Sequence, residues 1–523
     1  MKQLQTLSIV SPGFYGLNTQ ESGSTLSPNF ALAADNAVID RFGRLGARKG
    51  WKMQTDNGSS ILAGNPVRFM LEHYNADNST VVLSAGNHKI LKDGNSLLAG
   101  KGTMVDITPA LYTITDNDWR GASLNDHAIL CQENHEPLIY TESASPVVQT
   151  MTDYTGSAQN YGTDYPKNVI AAYGRFWAHT KSTVYWSTDI ADTAFPCFCG
   201  GTSGTLNIAA VLPHNVDEIT GLAVHNDFLV IFCRNNIVVY TGASNPIGVN
   251  FGLQDVISGV GCVANGSIQP TGNDLIFLSD TGIRSLGRVM QEKSLPMRDL
   301  SKNVRDDLIS DMAAEIASYG SLDHVVSVYS EVNAFYLLSL PSIKKVYVCD
   351  LRAPLQDGAT RVTTWGSFEV FSFLRDRDRN VYFGKTDGIG LYDGYDDNGS
   401  PYTLRFLSHY LDMGNPTTVK MMKQVKVVVY GGSQQEFVIK IGTDYSNDYV
   451  VYPFVIAGDS LITEYGASEY GVSEYTLGIL TDDVKSSVSG TGNILQLGFE
   501  ASLNGNFLSV QTLDCFIKTG RNF

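Results

Sequence analysis

Seven times along the chain a short apolar run is followed by a polar turn, a second apolar run and then Asp or Gly. The units begin at Val81 (VVLSAGNHKILKDG), Ala128 (AILCQENHEPLIYTE), Phe176 (FWAHTKSTVYWSTD) and Leu229 (LVIFCRNNIVVYTG). They continue at Leu275 (LIFLSDTGIRSLGR), Phe335 (FYLLSLPSIKKVYVCD) and Val381 (VYFGKTDGIGLYDG). Each reads as a β-hairpin, two runs of β-branched and aromatic residues around a Gly, Asn, Asp or Ser turn. A hairpin alone cannot bury its apolar face. Repetition every 46 to 60 residues is what four-stranded propeller blades show. Further apolar runs before several units, VRFMLEHY before Val81 and ITGLAVH before Leu229, supply other blade strands. A parallel β-helix needs a much shorter period, and separate sandwiches need about twice the length per unit. The expected fold is therefore all-β, a β-propeller of six to seven blades; seven units close as six if the two ends share one.

Two segments depart from the repeat. SKNVRDDLISDMAAEIAS (301–318) spaces Val304, Leu308, Met312 and Ile316 four apart, with Ser301 as a helix cap. It predicts a helical insertion between blades. After residue 400, VKMMKQVKVVVYGG, EFVIKIGTD, NILQLGFEASLNG and FLSVQTLDCFIKTG are longer alternating strands, which fit a β-sandwich. Between them EYGASEYGVSEY (464–475) repeats Glu, Tyr and Gly every five residues. It reads as an exposed loop or, through Tyr465, Tyr470 and Tyr475, as a contact surface for another subunit or a partner. The expected organisation is an N-terminal arm (1–60), a propeller (61–400) and a C-terminal β-domain (401–523).

Composition narrows the function. A content of 50 Gly, 26 Tyr and 23 Phe in 523 residues is β-rich and turn-rich. The net charge of −16 argues against a polyanion-binding surface over the whole molecule. It is uneven: residues 1–60 carry +2, residues 401–523 carry −4 and the middle carries −14. Arg41, Arg44, Arg48, Lys49 and Lys52 form a basic run with no acid inside it. No recognised DNA-binding module surrounds that run, so it reads as a charged arm docking on an acidic neighbour. Seven cysteines at irregular spacing, mostly inside apolar runs, read as free thiols from a reducing cytoplasm. Cys197 and Cys199 are the one close pair, and no second pair completes a zinc set. The N-terminus lacks the apolar core of a signal peptide, and no run of 18 apolar residues occurs.

Catalytic signatures fail one by one. Gly384-Lys385-Thr386 is a fragment of a phosphate loop, but Arg379 stands where the loop needs glycine. YDGYDDNGS (392–400) is acidic but misses calcium-loop spacing. STDIADTA (187–194) partly matches the turn repeated in sialidases, with Ala191 and Ala194 replacing Gly and Trp. Asp376 and Asp378 lie in an alternating Arg-Asp turn, which is more often a solvated surface. No catalytic, cofactor-binding or metal-binding residue is expected.

The opening SPGFYGLNTQESGSTLSPNFALAADNAVIDRFGRLGARKGW resembles that of tail nozzle proteins of short-tailed bacteriophages, also called tail tubular protein B or tail hub proteins. The features that carry the resemblance are Gly16-Leu17-Asn18, Leu26-Ser27-Pro28, Ala34, Asn36, Asp40, Gly43 and Arg48-Lys49-Gly50-Trp51. NVIAAYGRFWAHTKSTVYWSTD and LDMGNPTTVKMMKQVKVVV are similar to the group's middle and C-terminal sections. The resemblance implies a non-enzymatic virion protein, made in the host bacterial cytoplasm, that forms a homohexameric ring below a tail adaptor ring. It implies that viral DNA is retained and then ejected through the ring without specific binding, with no membrane insertion. Tail fibres or internal ejection proteins are further partners. On this reading Arg41, Arg44, Arg48, Lys49 and Trp51 dock on the adaptor, and loops near 93–96 or 464–475 narrow the channel. Members of the group are often longer, with tip insertions that this chain lacks. The alternative is a carbohydrate-binding or glycan-degrading propeller, depolymerase-like, with carboxylates and arginines in its mouth.

Overall fold

All seven hairpins fold as the second and third strands of a blade. In blade 1 these are Thr80–Gly86 and Lys89–Asp93, flanked by the inner strand Phe69–Tyr74 and the outer strand Gly102–Asp106. Blades 2, 3 and 4 repeat this antiparallel order over 120–150, 168–207 and 219–258. Blade 5 (269–285) has three strands, and blade 6 (326–365) has four. The computed structural model describes residues 5–10, 13–40, 42–56, 58–93, 102–115, 118–190, 195–212, 217–292, 299–431, 435–446, 448–456 and 481–522.

Blade 7 closes the ring. Its strands Ser372–Arg375, Val381–Lys385 and Gly388–Tyr392 are completed by Trp51–Met53 from the other end of the chain. Seven blades, not six, result, because the N-terminal segment supplies only the last strand of a blade. Turn chemistry sets the registers. Asn125-Asp126 and Asn226-Asp227 take φ of 48° and 68°, then 48° and 66°. Two consecutive left-handed residues of this type make the turn whose twist matches that of the strands. The middle strands are buried on both faces; every residue of His127–Gln132 and Phe335–Leu340 is buried. Seven apolar clusters fill the joins between successive blades. Blades 7 and 1, for example, meet through Leu374, Tyr382 and Ile389 against Met70, Val82 and Leu91.

The expected helix is present as Arg305–Tyr319, between blades 5 and 6. Ser301 does not cap it; its hydroxyl accepts the N–H of Ile283 in blade 5. That bond satisfies a buried strand donor, which outweighs an exposed helix end. Leu308 and Met312 face the core.

The C-terminal strands form a two-layer sandwich. One sheet holds Thr418–Gly431, Thr481–Gly492 and Leu508–Asn522. The other holds Tyr402–Ser408, Leu495–Leu503, Glu436–Thr443 and Val450–Val455. Val425, Val427, Phe437, Ile439, Phe499 and Leu513 form its interior.

The N-terminal segment differs from the expected arm. Gln5–Val10 pairs along Leu508–Asn522, Ala37–Ile39 and Leu45–Ala47 extend the same sheet, and Ala31–Asp35 joins the other. Alternate residues of these short strands, Ile9, Ala31, Ala34, Ala37 and Ile39, are apolar and fully or almost fully buried. Short runs with so many alanines carry little hydrophobic signal, so the sequence reads as loop where the structure has core. Ala31–Asp35 also touches the outer strand of blade 6 in parallel through Asp35 and Thr364. Blade 6 and one sandwich layer thus form a continuous nine-stranded sheet.

The cysteines need one correction. Cys131, Cys233, Cys262, Cys349 and Cys515 are buried free thiols, whereas Cys197 and Cys199 are joined to each other. Thr188 and Gln159 bind the backbone around Cys197 and Phe198 and so fold the two sulfurs toward one side.

Candidate functional site

The basic run of the N-terminal segment turns inward. The Arg48 side chain is 1% exposed. Its two terminal nitrogens donate to Asp397 at 2.8 and 2.7 Å, and Nε donates to Asn36 Oδ1 at 2.9 Å. The guanidinium lies 4.0 Å from the Tyr402 ring centre and 4.3 Å from that of Phe368. Tyr402 also donates its hydroxyl to the Arg48 carbonyl. A planar, weakly hydrated guanidinium suits such a stacked, bidentate site, and lysine would not.

The partners of Arg48 come from three parts of the chain. Asn36 has the sandwich on one side: its amide donates to Thr403 O at 2.8 Å, and its backbone N–H to Thr364 O of blade 6 at 2.7 Å. Asp397 follows blade 7, and Tyr402 opens the sandwich. Arg48 is therefore the pin of the propeller–sandwich joint.

Other residues that carry the family resemblance serve the same joint. Gly16 has φ +76°, and an added Cβ would lie 2.6 Å from Val362 O of blade 6. At Gly50 an added Cβ would lie 1.8 Å from Asp396 O. Only glycine allows either close approach. Asn18 accepts the N–H groups of Gln20 and Glu21. Asp40 accepts the N–H groups of Phe42 and Arg44 and pairs with Arg44 Nε at 2.8 Å.

Docking on a partner is thus not open to Arg44 or Arg48. Arg44 is buried, pairs with Asp40 and stacks 4.0 Å over Tyr430. Lys49 and Trp51 are half-buried at the surface of the joint. Lys52, 3.3 Å from Asp393, is half-exposed. Arg41, Tyr465, Tyr470 and Tyr475 lie outside the described residues, as do 94–96 and 464–475 of the loops expected to narrow a channel.

The other sequence candidates resolve into structure. Lys385 of the phosphate-loop fragment is buried in the joint, 3.7 Å from the Phe368 ring centre, and donates to Glu369 O at 2.6 Å. Burial pushes its ammonium down to about 7; Asp397 opposes that shift and Arg48 adds to it. The acidic 392–400 turn spends its carboxylates locally: Asp393 on Lys52, Asp396 on the Gly399 N–H and Asp397 on Arg48. Asp376 is buried and holds the backbone and side chain of Asn380. Asp189 pairs with Arg175 at 3.2 Å, and 191–194 lie outside the described residues. Among the described residues no group of three His, Cys, Asp or Glu could hold a metal ion, and no helix is long and apolar enough to cross a membrane.

The inner strands of all seven blades enclose an axial cavity of about 430 Å³. Its wall is stitched across blades. Asn168 donates to Asn265 Oδ1 at 3.2 Å, Gln269 to Ser327 O at 3.0 Å, and Ser372 to Val67 O at 2.8 Å. At the mouth where the inner strands begin, residues leading into blade 6 meet residues leading into blade 2. His324 Nδ1 lies 2.8 Å from Asp118 Oδ2, and Arg120 donates to Asp323 O. Blades 2 and 6 stand on opposite sides of a seven-fold ring, so these contacts cross the axis. Nothing in the spacing of Arg68, Asp118, Arg120 and His324 announces this cluster. Arg68, Asp118 and His324 precede a blade strand by one or two residues, Arg120 opens one, and only ring closure brings them together.

No family model and no curated protein matches the chain. Solved structures resemble it at low similarity. The extracellular domain of the putative one component system BT4673 from B. thetaiotaomicron has 11% identity and a TM-score of 0.41 over 67% of this chain. The chain spans 40% of that domain's length. The Neurospora crassa Pan2 WD40 domain has 9% identity and a TM-score of 0.38, covering 66% of this chain and 95% of the domain. YCF48 bound to D1 peptide has 10% identity and a TM-score of 0.37, covering 63% and 92%. The seven-bladed assignment rests on strand order and pairing.

Proposed function

We propose that the chain is a structural subunit of a bacteriophage tail, a nozzle or hub protein that assembles as a hexameric ring and guides the genome out. The observation that carries this reading is the coincidence of motif and joint. Gly16, Asn36, Arg48 and Gly50, on which the family resemblance rests, are the residues that lock propeller to sandwich. A ring subunit that transmits force between neighbours needs such a fixed joint, and an enzyme built on a propeller mouth does not.

Two further points fit. The axial cavity is too small for a duplex whose major groove alone is ~12 Å wide, and contacts cross it at one mouth. The conduit therefore belongs between subunits. A net charge of −16 per subunit, multiplied around a ring, keeps phosphates from sticking, because Lys and Arg contacts that release counterions would hold the DNA. No catalysis is required of the chain.

The test is a low-resolution reconstruction of the intact phage particle, with the chain located by a tagged copy. Six copies around the tail axis below the adaptor are expected. Absence of the chain from purified particles overturns the proposal, as does a monomer that cleaves host surface glycans.

A further inference from the structure

We propose that the axial cavity is a binding site for a small oxyanion, a carboxylate- or phosphate-bearing molecule, held by Arg120 and Arg68. The inference goes beyond the tail assignment and does not depend on it.

Arg120 carries the argument. Arg120 lines the cavity, and its guanidinium donates to two main-chain carbonyls, Trp119 O at 2.9 Å and Asp323 O. Among the described residues no carboxylate stands within ion-pair distance of it. A guanidinium has five N–H donors and is never deprotonated. The donors that the two carbonyls leave over form a planar fork that matches a carboxylate or phosphate edge.

The surrounding charge favours an anion. Arg68, which also lines the cavity, is 3.6 Å from Asp118 Oδ1. The same carboxylate faces His324 on its other oxygen at 2.8 Å. Asp118 is thus shared among Arg68, His324 and, at longer range, Arg120, and belongs to none of them alone. The Asp323 carboxylate is exposed and accepts from the Ser321 hydroxyl at 2.9 Å, and it acts on Arg120 only from a distance. Burial disfavours the Arg120 charge, Asp118 and Asp323 oppose that shift without reversing it, and an oxyanion in the cavity would offset the remaining cost.

The cavity's about 430 Å³ lies in the range of small-molecule sites. That is too large for a lone phosphate and suits an organic acid or a phosphorylated metabolite.

The probes are citrate and inorganic phosphate, titrated into the purified full-length protein by calorimetry and thermal melting at constant ionic strength in chloride. At least one should bind saturably at one site per chain and raise the melting temperature. R120Q should weaken binding at least tenfold while melting cooperatively. R120K, which keeps the charge and loses the fork, should fall between and serves if R120Q does not fold. D118N should tighten binding several-fold. Binding of phosphate alone or citrate alone identifies the preferred anion class. Saturable binding of neither overturns the proposal, as does binding unchanged in both Arg120 variants.

Discussion

Arg48 and Asp397 meet as two parallel hydrogen bonds of 2.8 and 2.7 Å across 349 residues of sequence. The pair sits where blade 7, blade 6 and the sandwich converge, with the arginine side chain almost fully buried. Breaking a buried pair by removing one partner leaves an uncompensated charge and costs about 3–5 kcal/mol. D397A is expected to lose about that much, with the propeller and sandwich no longer melting together. In a double-mutant cycle, adding R48M to D397A should recover part of the loss, because no lone charge then remains. Calorimetric melting of the four proteins is the measurement. An unchanged D397A melt would show that the pair holds nothing.

The basic run predicts two different outcomes that the sequence alone merges into one. Arg44 is buried against Asp40 and Tyr430, so R44E places a second acid beside Asp40 and should cripple folding. Lys49 is surface-accessible, and K49E should leave the melting temperature within about 1 °C, as surface substitutions usually do. If the run docks on an adaptor ring, K49E and not R44E is the informative variant. A stable K49E protein that assembles normally removes Lys49 from that interface.

How much was legible beforehand follows from where the hydrophobic signal is dense. The hairpins at Val81 through Val381 each pair two short apolar runs around a polar turn, and all seven became the second and third strands of blades. Strands Ala37–Ile39 and Leu45–Ala47 are three residues long, too short for any periodicity to register. Their burial is dictated by Leu508–Asn522, nearly the whole chain away. Arg48 looked like surface because its counter-charge, Asp397, lies in a turn that reads as acidic loop. The Asp118–His324 contact depends on ring closure, which no local pattern encodes. Long-range pairing, not weak propensity, hid both.

Removing residues 1–56 tests the revised role of the N-terminal segment. Three structures lose a component at once: the sandwich loses its edge strands, blade 7 its fourth strand Trp51–Met53, and the joint Arg48. An open propeller exposes unpaired strand edges. The truncated chain is expected to be insoluble or to lack a cooperative melt. A soluble, cooperatively melting fragment of residues 57–523 would instead restore the picture of a detachable arm. A milder version is K52P, which deletes one donor from the closing strand and should lower stability by about 2–3 kcal/mol.

Buried histidines should make the fold acid-labile well above the range of ordinary carboxylates. Burial lowers His73 to about 4 and His179 to about 3. His73 bonds Ser123 through Nδ1, packs on Tyr140, and has no partner on Nε2 among the described residues. Asp126 and Glu142 oppose its shift, and His127 reinforces it. A base with a depressed folded pKa contributes stability that is present above its unfolded value near 6.5 and is lost as pH falls toward the folded value. Glu72 is raised by burial, so its contribution has the opposite sign: it is present at low pH and is lost as pH rises through the folded value. The melting temperature should therefore decline as pH drops from 6.5 toward 4. H73F and H179F should each shrink the stability difference between pH 7 and pH 4.5 by about 2 kcal/mol, even if they lower stability at neutral pH. Guanidinium unfolding of the wild type and both variants at the two pH values measures this, and an identical pH dependence in all three would assign the acid sensitivity to other groups.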